Sequence, residues 1–179
     1  MNHYTEALKL LDDIIANCST TEEHIARRRA LPADPGDFFS RRYARNISLR
    51  ESEDIGKLPD NTVLISIASQ PDHRGCPNVP KNKRFNAKFD DVTAPQGNIA
   101  QPITDIQATA MVRWIRQHSD ANFIVHCRAG VSRSAAVCLF IHTIYGHALR
   151  PNFWEVSRPN PFVLGMLLRE HCALSGKTV

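Results

Sequence analysis

Apolar positions along the chain change period several times, and each change marks an element. From Thr5 to Ile15 they recur at helical spacing, with Leu8, Leu11 and Ile15 on one face and Leu10 and Ile14 beside them. Thr20-Thr21-Glu22-Glu23 has a capping-box pattern that opens a second helix towards Arg29. Leu31 to Gly36 is a break, Asp37 to Tyr43 suits a short helical turn, and Arg45 to Leu49 alternates as a short strand would. Thr62 to Ala68 is β-branched and nearly continuous in apolar character, as a strand covered on both faces tends to be. A loop from Gln70 to Pro77 and a basic lead-in from Pro80 to Arg84 precede a third strand, Phe85 to Phe89. Turn formers dominate Asp90 to Asn98, which predicts a surface loop.

A second capping box, Thr104-Asp105-Ile106-Gln107, opens a helix that ends near His118-Ser119-Asp120. Ile103, Ile106, Ala110 and Trp114 are expected on its inner side, with Met111 widening the stripe. Phe123-Ile124-Val125 reads as a strand. A helix apolar nearly all round runs from Arg133 to about Tyr145 and stops at Gly146. Pro151 and Pro159 break the next connection, and Phe162 to His171 reads as a closing helix.

At 179 residues the chain suits a single domain with a sizeable core, the first 43 residues forming a helical extension packed on it. The net charge of +4 suits an anionic partner without demanding nucleic acid. No apolar run is long enough to span a bilayer, and the start lacks a basic region followed by an apolar one, so no membrane span or secretory leader is expected. The five cysteines (Cys18, Cys76, Cys127, Cys138 and Cys172) are odd in number and scattered, which argues against a disulfide framework or a zinc ribbon. A reducing, cytoplasmic setting and a monomer are the expectation. Neither an internal repeat nor a low-complexity segment is evident.

The chemistry concentrates where a strand meets a helix, at His126-Cys127-Arg128-Ala129-Gly130-Val131-Ser132-Arg133-Ser134. The first turn of a helix has N–H groups without intrahelical partners and carries partial positive charge. A loop running into it can turn successive N–H groups inward as an anion cradle, and Gly130 suits the backbone angles this requires. Arg133 adds a planar fork of donors for two oxygens of a phosphate. Such a setting favours the thiolate of Cys127, and Ser134 is placed to donate a hydrogen bond to its sulfur. Taken singly, a cysteine ending a strand is often only a small core residue, and a glycine between elements only a turn. Their combination at fixed offsets makes the phosphate-loop reading the stronger one.

The His-Cys-x-x-Gly-x-x-Arg-Ser wording resembles the signature loop of the cysteine-dependent protein tyrosine phosphatases, and Ala-Gly-Val-Ser-Arg-Ser most resembles the dual-specificity group. Arg158-Pro159-Asn160 with Phe162 resembles, at compressed spacing, the wording before that group's last helix. The resemblance implies a compact α/β fold: a mostly parallel sheet of four or five strands with helices on both faces. It implies hydrolysis of phosphotyrosine, with phosphoserine and phosphothreonine as further candidates, through a phosphocysteine on Cys127. Arg133 and the N–H groups of Arg128, Ala129, Gly130, Val131, Ser132 and Arg133 would hold the phosphoryl oxygens. A phosphorylated protein or peptide is then the expected partner.

Departure of an alkoxide or phenoxide calls for a general acid, which a carboxyl group on a closing loop can supply. Asp91 and Asp90 end a strand that would lie near Cys127 in a parallel sheet, and Phe-Asp-Asp resembles the acid loop of several small phosphatases, in which the second acidic residue acts. Asp91 is preferred and Asp90 is the second choice; Asp72 and Asp105 are outside options, and both aspartates of the pair also suit simple turn stabilisation. His126 is expected to position the loop through backbone carbonyls. His142 and His147 lie off a common helix face and His171-Cys172 has no partner at ligand spacing, so neither a metal nor another cofactor is expected.

Rival readings differ in loop and placement. Rhodanese-type sulfurtransferases have a shorter cysteine loop, and low-molecular-weight phosphatases and arsenate reductases carry Cys-x5-Arg near the N-terminus. RNA 5′-triphosphatases and phosphoinositide phosphatases share the signature, though the lipid-directed members often carry lysines where this loop has only Arg128. A catalytically inactive phosphate-binding module is the remaining alternative.

Overall fold

The computed structural model describes residues 42–69, 78–150 and 152–176. The two expected N-terminal helices and the Gln70 to Pro77 loop lie outside them. Strands β1 (Tyr43–Ser48), β2 (Thr62–Ala68), β3 (Arg84–Lys88), β4 (Asn122–Cys127) and β5 (Ala148–Leu149) form one sheet in the order β3-β2-β4-β1-β5. Every pairing is parallel, more uniformly than the resemblance implied. Helices α1 (Leu49–Glu53), α2 (Asp105–Gln117), α3 (Arg133–Tyr145), α4 (Phe153–Val156) and α5 (Pro161–Leu174) complete an α/β layer structure.

Alternation along the strands separates two apolar clusters. Val63, Ile65 and Ile67 of β2 join Phe123, Val125 and Cys127 of β4 against the buried faces of α2, α3 and α5. Leu64 and Ile124 point to the other face, where they meet Ile47, Leu58 and Val79. All seven residues of β2 are buried, as its continuous apolar run predicts. Helix α3 buries every residue from Arg133 to Ile141 and ends at Gly146 with φ 71°, the left-handed turn that favours glycine.

Three sequence expectations need correction. The first strand does not continue through Leu49: Ser48 caps α1, accepting from the Glu51 N–H while the Glu51 carboxylate accepts from the Ser48 N–H. That reciprocal bonding ends β1 one residue earlier. Tyr43, assigned by sequence to the helical extension, opens β1 instead. The inner face of α2 is Ala108, Met111, Val112 and Ile115; Ile106 is 82% exposed and Ala110 is also exposed. Helical phase is set by the position that contacts the sheet, and the true stripe sits about a third of a turn from the expected one.

Because all strands run parallel, their C-terminal ends gather at one edge: Ser48, Ala68, Lys88 and Cys127. Strand β4 lies between β1 and β2, where strand order reverses relative to chain order, the usual place for a ligand crevice in open parallel sheets.

Candidate active site

Cys127 ends β4 at this edge, 2% exposed, with its Sγ 3.2 Å from the Ser134 Oγ in the first turn of α3. The chain between them closes around Gly130, whose φ is 73°. A Cβ on Gly130 would lie 2.5 Å from the carbonyl carbon of Ile47 and 2.6 Å from the N of Ser48. Both the backbone angle and the close approach to β1 therefore require glycine.

The loop carbonyls turn outward into waiting donors. The Leu49 N–H donates to the Arg128 carbonyl (3.2 Å) and the Arg158 N–H to that of Val131 (2.8 Å). The Asn46 side-chain amide donates to the Gly130 carbonyl at 2.6 Å. The N–H groups of Ala136 and Asn160 share the Ser132 carbonyl. By contrast, no N–H from Ala129 to Arg133 donates to a described residue. Carbonyls bonded outward and N–H groups left open describe an anion cradle. Ser132 stands at the N-cap of α3 yet its hydroxyl caps nothing. It donates instead to Asp91 Oδ1 at 2.8 Å, which leaves the helix N-terminus open as well.

Arg133 is 4% exposed. Its Nη1 donates to the Phe89 carbonyl (2.7 Å) and the Ser69 Oγ (3.0 Å), while its Nε has no partner. No carboxylate pairs with it among the described residues. A buried cation with a vacant donor and no counter-ion is costly unless an anion arrives. Bonding of Nη1 also fixes the guanidinium fork against Phe89, just past the end of β3 and next to the two aspartates.

The two aspartates play different parts. Asp90 accepts from the Gln101 N–H at 2.9 Å and donates its own N–H to the Gln101 carbonyl at 2.7 Å, pinning the base of the surface loop. Asp91 reaches the cradle, its Oδ1 accepting from Ser132 Oγ and, also at 2.8 Å, from the Asn160 amide. Asp105 lies away, in the first turn of α2, where it pairs with Arg169; Asp72 is outside the described residues. His126 is fully buried, in register with Ile47 and Ser66, and strand alternation sends it to the opposite face from Cys127. Arg128, Ala129 and Val131 are exposed.

Cys138, one turn beyond Ser134 on α3, is a free, fully buried thiol, and burial followed by the nearby Cys127 raises its pKa well above the usual thiol range. Cys172 is disulfide-bonded, so the scattered cysteines are not all free thiols. Among the described residues no cluster of three or more His, Cys, Asp or Glu is placed to share a metal ion. None of the described helices is long and apolar enough to cross a membrane.

Sequence reading missed Asn46, Ser69 and the side-chain role of Ser132. Asn46 carried one signal, an amide in a strand of otherwise ordinary alternation. The sequence marks Asn160 by its wording and carries no sign of its bond to Asp91. No family model matches the chain, and no curated protein matches it.

Proposed function

We propose that the protein is a cysteine-dependent phosphatase acting on phosphotyrosine in proteins or peptides, with phosphoserine and phosphothreonine as further substrates. The observation that carries this reading is the bond between Asp91 and the loop residue Ser132, 41 positions apart. A cradle that only bound anions would gain nothing from a carboxylate at its rim, because like charges repel. A catalyst of phosphoester cleavage needs a proton donor there.

In the proposed reaction the Cys127 thiolate attacks phosphorus, an S–P bond forms and the ester P–O bond breaks. Asp91 gives its proton to the departing oxygen. Asp91 then takes a proton from water, whose oxygen attacks phosphorus, and the S–P bond breaks to release phosphate. Arg133 Nε and the open N–H groups would hold the equatorial oxygens. Ser134, at 3.2 Å, would steady the leaving thiolate. In the loop itself, Val131 is 36% exposed, apolar surface suited to an aromatic ring or peptide flank.

The test is hydrolysis of phenyl phosphate and phosphotyrosine peptides, with EDTA present, by wild type, Cys127→Ser and Asp91→Asn. Activity abolished by Cys127→Ser and lowered roughly 10²- to 10⁴-fold by Asp91→Asn is expected. A wild type inert on these esters would overturn the reading in favour of RNA, lipid or simple binding.

A further inference from the structure

We infer that Asn160 is a positioning residue for the general acid, joining the Asp91 carboxyl to the cradle and fixing which of its oxygens carries the proton. This rests on the phosphatase reading above. Asn160 is 6% exposed and precedes α5 as its N-cap. Its Oδ1 accepts from the Val163 N–H at 3.1 Å, and its backbone N–H donates to the Ser132 carbonyl at 3.3 Å. Pro161 follows at the first helical position and presets the backbone. The amide is therefore held in one orientation: a flip would turn its NH₂ towards the Val163 N–H and its oxygen towards a carboxylate. So oriented, Nδ2 donates to Asp91 Oδ1 at 2.8 Å.

Ser132 Oγ donates to the same Oδ1, and no described donor reaches Oδ2. With Oδ1 occupied as a double acceptor, the acidic proton rides on Oδ2. It passes from there to the leaving oxygen as the P–O bond breaks, and returns to Oδ2 from water in the second step. Asn160 thus ties three pieces together: the acid, the cradle carbonyl of Ser132, and the last helix. Asp91 is itself exposed, and these two bonds set where its carboxyl stands.

Asn160→Ser separates the two duties. Serine is a good N-cap and preserves α5, but it is too short to reach Asp91. Asn160→Asp is the second variant: it keeps the size and the cap but sets one carboxyl group against another. Each would be assayed on phenyl phosphate, whose poor leaving group needs the proton, and on 2,4-dinitrophenyl phosphate, whose leaving group does not. The expected result is a fall in kcat/KM of about 10- to 100-fold on phenyl phosphate, a part of the roughly 10²- to 10⁴-fold that a general acid contributes, and a far smaller fall on the dinitrophenyl ester. In an Asp91→Asn background, Asn160→Ser should cost nothing more, since residues that act as one unit are not additive. Equal losses on the two esters, or an undiminished loss in the Asp91→Asn background, would reduce Asn160 to a helix cap. A wild type inert on both esters, or active without Cys127, would overturn the phosphatase reading and this role with it. Cys127-dependent activity in wild type with no ester-selective loss would overturn the role alone.

Discussion

The amide of Asn46, wholly buried in β1, donates to the carbonyl of Gly130 at 2.6 Å and to the Ser157 hydroxyl at 2.9 Å. One strand residue thereby holds the cradle at its glycine and secures the segment that leads to Asn160. Asn46→Ala leaves a buried carbonyl unpaired, which costs about 1–3 kcal/mol. Urea unfolding should show that loss, and inorganic phosphate should become a weaker ligand or inhibitor. If stability falls while phosphate affinity holds, the bond supports the sheet and not the cradle.

Gly130→Ala should be more severe for the site than its single methyl suggests. The new Cβ would meet the backbone of Ile47 and Ser48 at 2.5 and 2.6 Å, and backbone cannot rotate away. At φ 73° a side-chained residue also costs of the order of 1–3 kcal/mol in strain. Loss of Cys127-dependent activity with a fold still visible by circular dichroism is expected. Near-normal turnover in this variant would show that the loop tolerates a different path.

Cys127 and Cys138 should differ in reactivity although both are buried. Cys138 is fully buried in α3, and burial together with the neighbouring Cys127 holds it protonated at neutral pH. Cys127 opens on an anion cradle. Brief treatment with iodoacetate, itself an anion, should carboxymethylate Cys127 first, and phosphate should protect it. Peptide mapping that found Cys138 modified first would contradict the proposed thiolate.

Much of this site was legible because its chemistry is local in sequence. Cys127, Gly130, Arg133 and Ser134 lie within one strand–loop–helix unit, and the bounds of β2 and the stop at Gly146 followed from composition and turn chemistry. The choice of Asp91 over Asp90 rested on wording, and the geometry separates them: one reaches Ser132, the other only Gln101. What stayed hidden depends on distant packing. Asn46 is polar yet buried because Gly130, 84 positions later, needs a donor. Ile106 is apolar yet exposed because the phase of α2 is fixed by Ala108, Met111, Val112 and Ile115. Side-chain period alone does not reveal either.

His147 gives the fold a predictable response to acid. It is 1% exposed, its Nε2 lies 2.9 Å from the Ala121 carbonyl, and its ring meets Phe123 edge-on at 5.3 Å. Burial, the largest influence, lowers its pKa below the usual 6.5, outweighing the backbone bond to Ala121, which acts the other way. The folded state thus holds fewer protons than the unfolded chain between that lowered value and 6.5. Stability therefore rises with pH across this window, is fully present above the ordinary value, and is lost as pH falls below it. A single group contributes at most about 1.4 kcal/mol per pH unit there. Urea midpoints measured from pH 7.5 down to 5.5 should fall in wild type, and less steeply in His147→Gln, which keeps an amide donor and does not titrate. Identical slopes in the two proteins would mean that other groups carry the acid sensitivity and that His147 binds its proton equally in the folded and unfolded states.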